Sequence, residues 1–214
     1  MSHDPPVFDE SFQGKLAGLL AWRRDVRHFR RDAVPPALVT HLLELAALAP
    51  SVGNSQPWRF VLVEDATRRQ AVIANFEAAN AEALADYSGE QAKLYASLKL
   101  AGLKEAPVHL AVFCDEGTAQ GHGLGRRTMP EMLDYSVVMA VYGFWLAARA
   151  HGLGVGWVSI LDPAVLTRDL DVPVDWKLVA YLCVGWPQDE QATPELERRG
   201  WEHRRDVADF LLRR

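Results

Sequence analysis

The stretch DYSVVMAVYGFWLAARAHGLGVGWVS, residues 134–159, joins a long apolar run to three closely spaced glycines. Its first part predicts a long helix that ends at Gly152 or Gly154, because glycine readily adopts the backbone conformation that closes a helix. Apolar residues lie on every face of this helix, so it must be buried on every side. In a chain of 214 residues, we expect such a helix to lie at the centre of a dimer.

The glycines at the end of this stretch superficially resemble a dinucleotide-binding motif. That motif needs a strand before the glycines and a helix after them. Here the order is reversed, since a helix precedes Gly152 and the strand-like run VGWVSIL (155–161) follows it. The order excludes a Rossmann reading. We expect instead that these glycines let the backbone approach a flat ligand closely.

The rest of the chain alternates helical and strand-like patterns in unequal runs. One helix is predicted at 12–22, and another starts with Pro36 in its first turn and ends at Pro50. Further patterns predict strands at 59–65, 108–115 and 177–187 and helices at 66–84 and 162–170. This arrangement favours one α+β domain, with extended arms at both ends, over a doubly wound sheet.

Composition narrows the class of protein. Hydrophobic residues make up 49% of the chain and charged residues 24%, the balance of a globular protein. The formal net charge of −5 and the lack of a long basic run predict no nucleic-acid partner. No apolar stretch is long enough to cross a membrane, and the acidic N-terminus is unlike a signal peptide. Cys114 and Cys183 lie in apolar runs, which favours free thiols in a reducing cytoplasm.

Three arginines within five residues form the first candidate site, Arg23-Arg24-Asp25-Val26-Arg27. Guanidinium groups present forked donors that match the oxygens of a phosphate, so this segment could bind a dianion. Asp25 could be a plain ion-pair partner or a group aimed at a bound ligand. The alternative is that the whole segment is a solvated basic surface, as most runs of charged residues are.

The second candidate site is the loop PSVGNSQPW, residues 50–58. Asn and Gln side chains carry paired donors and acceptors, which suit the edge of a heteroaromatic ring. A well-hydrogen-bonded turn explains the same composition equally well. The seven histidines show no metal-ligand spacing, so no metal site is predicted.

Together these motifs resemble the nitroreductase superfamily. The resemblance rests on three motifs: RRDVR (23–27), the loop A-P-S-x-x-N-x-Q-P-W and the run G-x-G-x-G-W-V-S after the apolar helix. Within that superfamily the chain is similar to the 5,6-dimethylbenzimidazole synthase family, from about Trp22 to Trp201. The stretches typical of that family include YSGEQAKLYASLKL (87–100), GRRTMPEMLDYS (125–136) and PELERRGW (194–201), together with Asp25 in the arginine motif.

The resemblance implies a nitroreductase-like fold, with a mixed sheet flanked by helices, in an intertwined homodimer that binds FMN at its interface. It implies that residues 84–103 act as a lid over the site. The implied FMN-binding residues are Arg23, Arg24, Asp25, Val26, Arg27, Ser51, Asn54, Gln56, Ser159, Leu161 and Arg204. Of these, Asp25 and Ser159 are the implied catalytic residues: Asp25 handles protons, and Ser159 forms a hydrogen bond near the reactive flavin nitrogen.

The function implied by the resemblance is the oxygen-dependent fragmentation of reduced FMN, which is both ligand and substrate. The products would be 5,6-dimethylbenzimidazole, the lower ligand of vitamin B12, and erythrose 4-phosphate. A closed site would leave little room for NAD(P)H beside the ring, so a separate flavin reductase is expected to supply FMN already reduced.

Two other functions remain open at this stage. One is an ordinary NAD(P)H-dependent nitro- or enone reductase that recycles FMN, which Asn54 favours because Asn54-Ser55 is the pattern of the wider superfamily. The other is a flavin-binding or storage protein without catalysis. Asp25 favours the synthase over both, because ordinary nitroreductases usually carry a small residue such as serine there.

Overall fold

The computed structural model describes residues 5–85, 88–89 and 102–214 of the chain. Its strands are β1 (Trp58–Leu62), β2 (Val108–Asp115), β3 (Gly154–Val158) and β4 (Trp176–Gly185). Its helices are α1 (Glu10–Trp22), α2 (Pro36–Ala46), α3 (Ala66–Ala85), α4 (Gly102–Glu105), α5 (Met132–Ala150), α6 (Pro163–Asp169) and α7 (Glu195–Arg198). The predicted α+β class is confirmed. Most of the predicted lid, residues 84–103, lies outside the described residues.

The four strands form one sheet in the order β1-β2-β4-β3, and every neighbouring pair is antiparallel. The mixed character expected of the sheet is confined to its β3 edge. There Asp25 forms a single parallel bridge with Val155, the only parallel pairing found in the described part of the chain. The segment that carries the arginines is therefore an addition to the edge of the sheet.

Alternation along the two central strands divides the core into two layers. Successive side chains of a strand point to opposite faces, so neighbouring residues enter different clusters. On β2, Leu110 and Val112 pack with α2 and α5, whereas Ala111 and Phe113 pack with α3 and α6. Helices thus cover both faces of the sheet.

His109 is one of the buried polar residues of the fold. It is 2% exposed, and its Nδ1 lies 2.9 Å from the hydroxyl of Tyr181 on β4. Burial lowers the pKa of His109 to about 4, so the ring is neutral at neutral pH. The ring also interacts with the backbone of Ala106. These contacts make His109 a satisfied structural residue.

Gly154 and Gly156, which follow α5, let the arginine segment (residues 23–29) pack closely against β3. A Cβ atom on Gly156 would overlap the carbonyl oxygen of Val26, and one on Gly154 would lie 2.7 Å from the Val26 side chain. The expectation that these two glycines make room for a flat ligand is therefore corrected. The space beside them is filled by Val26, because its backbone pairs with β3 at close range.

Helix α5 is not buried on every side in the single chain. Its inner face packs on the sheet and on α2, but four apolar residues on its outer face are between 39% and 50% exposed: Tyr135, Val138, Met139 and Tyr142. Their spacing of three and four residues places them on one stripe. We refer to these four residues as the α5 stripe. Among the described helices, none has the length and apolarity needed to span a membrane.

We expect Gly156→Ala to destabilise the protein by roughly 3 kcal/mol, because the added methyl group meets backbone rather than a flexible side chain. Gly18→Ala in α1 is the control, since no atom lies within 4 Å of the added Cβ. It should leave stability unchanged or raise it by about 0.5–1 kcal/mol. Thermal and urea unfolding measure both. Equal stability of the two variants would show that Val26 does not pack against Gly156 in solution.

Candidate active site

The arginine segment, residues 23–29, is fixed to the fold by contacts on three sides. The N–H of Val26 donates to the carbonyl of Val155 on β3 at 3.0 Å. The N–H of Phe29 donates to the carboxylate of Glu105 at 3.0 Å. The indole N–H of Trp145, on α5, donates to the carbonyl of Arg24 at 3.1 Å. Backbone positions set in this way hold the intervening side chains in place.

Asp25 is held at the edge of β3 by two interactions. Its Oδ1 accepts a hydrogen bond from the N–H of Trp157 at 2.9 Å, and its Oδ2 lies 3.6 Å from Nε of Arg27. The side chain keeps 40% of its surface, but that surface faces a cleft crowded with protein atoms. Burial therefore raises the pKa of Asp25, although the Trp157 N–H and the charges of Arg27 and Arg23 oppose the rise.

Positive charge is concentrated beside this carboxyl group. The guanidinium of Arg23 lies over the ring of Trp145, 5.1 Å from its centroid. Burial and three neighbouring guanidinium groups lower the pKa of Arg24, namely those of Arg204, Arg23 and Arg149, while Glu197 opposes them. Like charges held together in this way repel one another, so a bound anion would stabilise the group.

The Nε–H of Arg24 also indicates that this cluster of arginines can bind an anion. It is buried and has no hydrogen-bond partner in the described part of the protein. A buried donor without a partner costs roughly 1–3 kcal/mol, which a ligand can recover. Arg24, Asp25 and Arg27 line one cleft of about 650 Å³, part of it open to solvent. The arrangement suits a phosphate at one end and proton transfer at Asp25.

Ser159 and Leu161 lie just beyond the end of β3. Ser159 is exposed and stands two residues after Trp157, whose N–H binds Asp25. Two residues of extended chain span about 6–7 Å, so Ser159 lies near Asp25 on the same edge. Leu161 is partly buried and packs on the core between the sheet and α3. Ser159 therefore belongs to the same sheet edge as Asp25, whereas Leu161 packs on the other face of the sheet from Trp145.

The loop with Ser51, Asn54 and Gln56 is tightly bonded within itself. The N–H of Gln56 donates to Oγ of Ser51 at 3.0 Å, and its side-chain amide donates to Oδ1 of Asn54 at 3.1 Å. Asn54 and Gln56 have φ angles of +54° and +44°, which residues other than glycine rarely adopt. Such strain is often found where a backbone is shaped for a ligand.

One chain does not bring this loop to the arginine segment. The N–H of Val52 donates to Oγ of Ser136 near the start of α5, whereas Arg24 contacts Trp145 near its end. Nine residues of helix separate these two contacts, a rise of about 13 Å. The structure therefore places Ser51, Asn54 and Gln56 at the other end of α5 from a group of residues that it brings together: Arg23, Arg24, Asp25, Val26, Arg27 and Arg204.

The sequence missed several residues of the cleft. Trp145 is buried in the core, but its ring also lies under the guanidinium of Arg23 and its N–H donates to the carbonyl of Arg24. Arg149 and Glu195 line the cleft from α5 and α7. Nothing in an apolar helix or a charged tail indicates which residues will meet a segment more than a hundred positions away. In the described ranges, no group of three or more His, Cys, Asp or Glu could hold a metal.

Comparison with known proteins identifies the class of fold. The model of the nitroreductase family matches residues 20–186 of this chain. The chain belongs to the nitroreductase family. The solved structure of oxidized iodotyrosine deiodinase, bound to FMN and 3-iodo-L-tyrosine, is similar with a TM-score of 0.70 and 27% sequence identity. The match covers 82% of this chain and 91% of that one.

Within the family, the chain is similar over almost its full length to proteins of one activity. It is 60% identical over 200 residues to the 5,6-dimethylbenzimidazole synthase of Rhodospirillum rubrum, covering 94% of this chain and 95% of that protein. It is 49% identical to a 5,6-dimethylbenzimidazole synthase of Rhodobacter capsulatus, covering 91% and 94%. The sequence resemblance to this branch of the superfamily is confirmed.

We expect the protein without any flavin to bind inorganic phosphate, which should raise its unfolding temperature. Arg204→Gln should weaken this binding by roughly tenfold, the effect of one charge-assisted hydrogen bond. Arg205→Gln is the matched control, because that neighbour pairs with Asp209 and lies over Phe210. Equal losses in both variants would indicate a nonspecific effect of net charge and not a site at Arg204.

Proposed function

We propose that this chain is a 5,6-dimethylbenzimidazole synthase that fragments reduced FMN with O2 to 5,6-dimethylbenzimidazole and erythrose 4-phosphate. The observation that carries the proposal is the 60% identity, over nearly the whole of both chains, to a protein of that name. The placement of Asp25 agrees with it, since a carboxyl group in the flavin cleft gives the site a proton carrier.

The site has the groups that FMN requires. The phosphate would be held by Arg23, Arg24, Arg27 and Arg204. The charges of Arg23 and Arg204 lower the pKa of Arg24, and the buried Nε–H of Arg24 has no partner among the described residues, so an anion would stabilise this group. Val26 and Leu161 would support the flavin at the sheet edge, and Ser51, Asn54 and Gln56 would line the ring. Bound reduced FMN supplies both the electrons for O2 and the carbon atoms of the benzimidazole.

Asp25 and Ser159 would perform the work that belongs to the protein itself. Because burial raises the pKa of Asp25, its carboxyl group can hold a proton closer to neutral pH than an ordinary aspartate. The Trp157 N–H fixes one carboxylate oxygen and leaves the other directed toward Arg27. Ser159, exposed beside this carboxyl, would donate a hydrogen bond to the flavin ring.

The complete site would need two copies of the chain in an intertwined homodimer. The α5 stripe leaves apolar surface uncovered in the single chain, as do Phe12, Leu16 and Leu20 on α1, which are 41–44% exposed. Pairing through the α5 stripe would place the loop of one subunit against the arginine segment of the other. This arrangement removes the separation of about 13 Å that α5 imposes within one chain.

Met139→Glu tests the dimer. We expect it to shift the protein to monomers and to abolish FMN binding, because it places a charge in the α5 stripe without disturbing the core of one chain. Val174→Glu is the control, since Val174 is 96% exposed and lies outside the α5 stripe. Sedimentation equilibrium and flavin fluorescence report the two effects. A monomeric wild-type protein that binds FMN tightly would contradict the two-subunit site.

Aerobic incubation with photoreduced FMN, followed by mass spectrometry, tests the activity. We expect loss of FMN and a product with the mass of 5,6-dimethylbenzimidazole. Asp25→Asn should lower the rate at least 100-fold while FMN still binds, since the change removes proton transfer and keeps the shape of the side chain. Asp32→Asn is the control, because Asp32 is 63% exposed and pairs with Arg30. Full activity of Asp25→Asn would exclude the role given to Asp25.

The second candidate is an NAD(P)H-dependent nitro- or enone reductase. It is favoured by Asn54 in the strained loop and by 30% identity to an NADH dehydrogenase of Thermus thermophilus. If FMN were reoxidised intact in the assay above, oxidation of NAD(P)H with nitroaromatic acceptors would be the activity to measure. A synthase would instead depend on a separate flavin reductase, and NAD(P)H alone would not start the reaction.

A further inference from the structure

The short helix α7 borders the arginine segment with an ordered turn. The N–H groups of Arg198 and Arg199 donate to the carbonyls of Pro194 and Glu195 at 3.0 and 2.8 Å. The side chain of Glu195 is only 15% exposed, and its Oε1 lies 3.6 Å from Nε of Arg199. A carboxylate on such a turn is held in one place and is largely removed from water.

Glu195 and Asp25 line the same cleft, together with Asp189 and Glu190. Glu190 is paired with Arg149 at 2.6 Å, and of the three neighbours it is the charge of Glu195 that acts on Asp25. The other charged or polar groups around Asp25 come from three directions. Arg23 and Arg27 belong to its own segment, the Trp157 N–H comes from β3, and Cys183 comes from β4. Burial raises the pKa of Asp25, and the negative charge of Glu195 raises it further.

We propose that Glu195 is a positioning residue that acts through Asp25, so that a pair of carboxyl groups, not Asp25 alone, holds the transferable proton of the site. Two carboxylates in one cleft do not ionise independently, because the charge of the first opposes ionisation of the second. Arg23 and Arg27 favour the charged form of Asp25, and the negative charge of Glu195 opposes their effect. The reaction that uses this proton rests on the proposed function, but the coupling of the two groups does not.

Glu197 provides a matched comparison on the same turn. It carries the same charge two residues further on, but its neighbours are Arg24 and His203, whose Nδ1 lies 3.8 Å from Glu197 Oε1. Helix α7 therefore carries one carboxylate whose charge acts on Asp25 and another whose charge acts on Arg24. A general effect of negative charge on this tail would be shared by both residues, whereas coupling to Asp25 belongs to Glu195.

The test is a titration of the Asp25 carboxyl carbon by ¹³C NMR in the flavin-free protein. Asp25→Asn identifies the signal. We expect Glu195→Gln to lower the titration midpoint of Asp25 by roughly half a pH unit or more, since it removes a negative charge that opposes ionisation. Glu197→Gln should leave the midpoint within about 0.2 unit of the wild type, because its charge lies near Arg24.

Two further variants separate charge from structure. Arg199→Gln breaks the ion pair of Glu195 but keeps its carboxylate, so the Asp25 midpoint should stay at the wild-type value or rise. Glu195→Asp keeps the charge and should retain most of the raised midpoint. An unchanged midpoint in Glu195→Gln, or an equal fall in Glu197→Gln or Arg199→Gln, would overturn the proposal.

The pH profile of turnover then connects the pair to the reaction. If Asp25 donates the proton, activity falls as the pH rises through its pKa, and Glu195→Gln should move this alkaline limb to lower pH. Glu195→Asp should restore its position. A shifted NMR midpoint with no product from the wild-type protein would uphold the carboxyl pair and reject the synthase. An unshifted Asp25 midpoint in Glu195→Gln, together with product from the wild-type protein, would reject the carboxyl pair and uphold the synthase.

Discussion

The site depends on one close contact, the approach of the Val26 backbone to the edge of β3. Because Gly156 has no side chain, the carbonyl of Val26 can occupy the space where a Cβ atom would be. The bridge between Asp25 and Val155 and the hydrogen bond from the Trp157 N–H to Asp25 follow from this contact. A glycine in a strand thus fixes the position of a carboxylate that is more than a hundred residues away.

Once the arginine segment is fixed, it helps to hold several positive charges close together in one site. Arg24 lies close to Arg23, Arg149 and Arg204, and its buried Nε–H has no partner among the described residues. Glu195 of α7 lines the same cleft. A cluster of this kind favours a bound anion beside a carboxyl group of raised pKa, which suits a phosphorylated ligand and proton transfer.

The long helix α5 explains why three of the candidate ligand-binding residues, Ser51, Asn54 and Gln56, lie apart from the arginine segment. One end of α5 supports the strained loop through Ser136, and the other end supports the arginine segment through Trp145. The α5 stripe between them is apolar and uncovered. The proposed second copy of the chain, packed along the helix, would cover the stripe and complete the site.

The sequence by itself determined the class of fold, the family and the segments that carry chemistry, because periodicity, glycine spacing and the RRDVR motif are local properties. It also predicted that Asp25 stands among arginines. Only the tertiary structure decided that Gly154 and Gly156 receive Val26, that Trp145 supports Arg23, and that Glu195 shares a cleft with Asp25. These contacts join residues distant in the chain, and chain folding, not local pattern, sets which side chains meet.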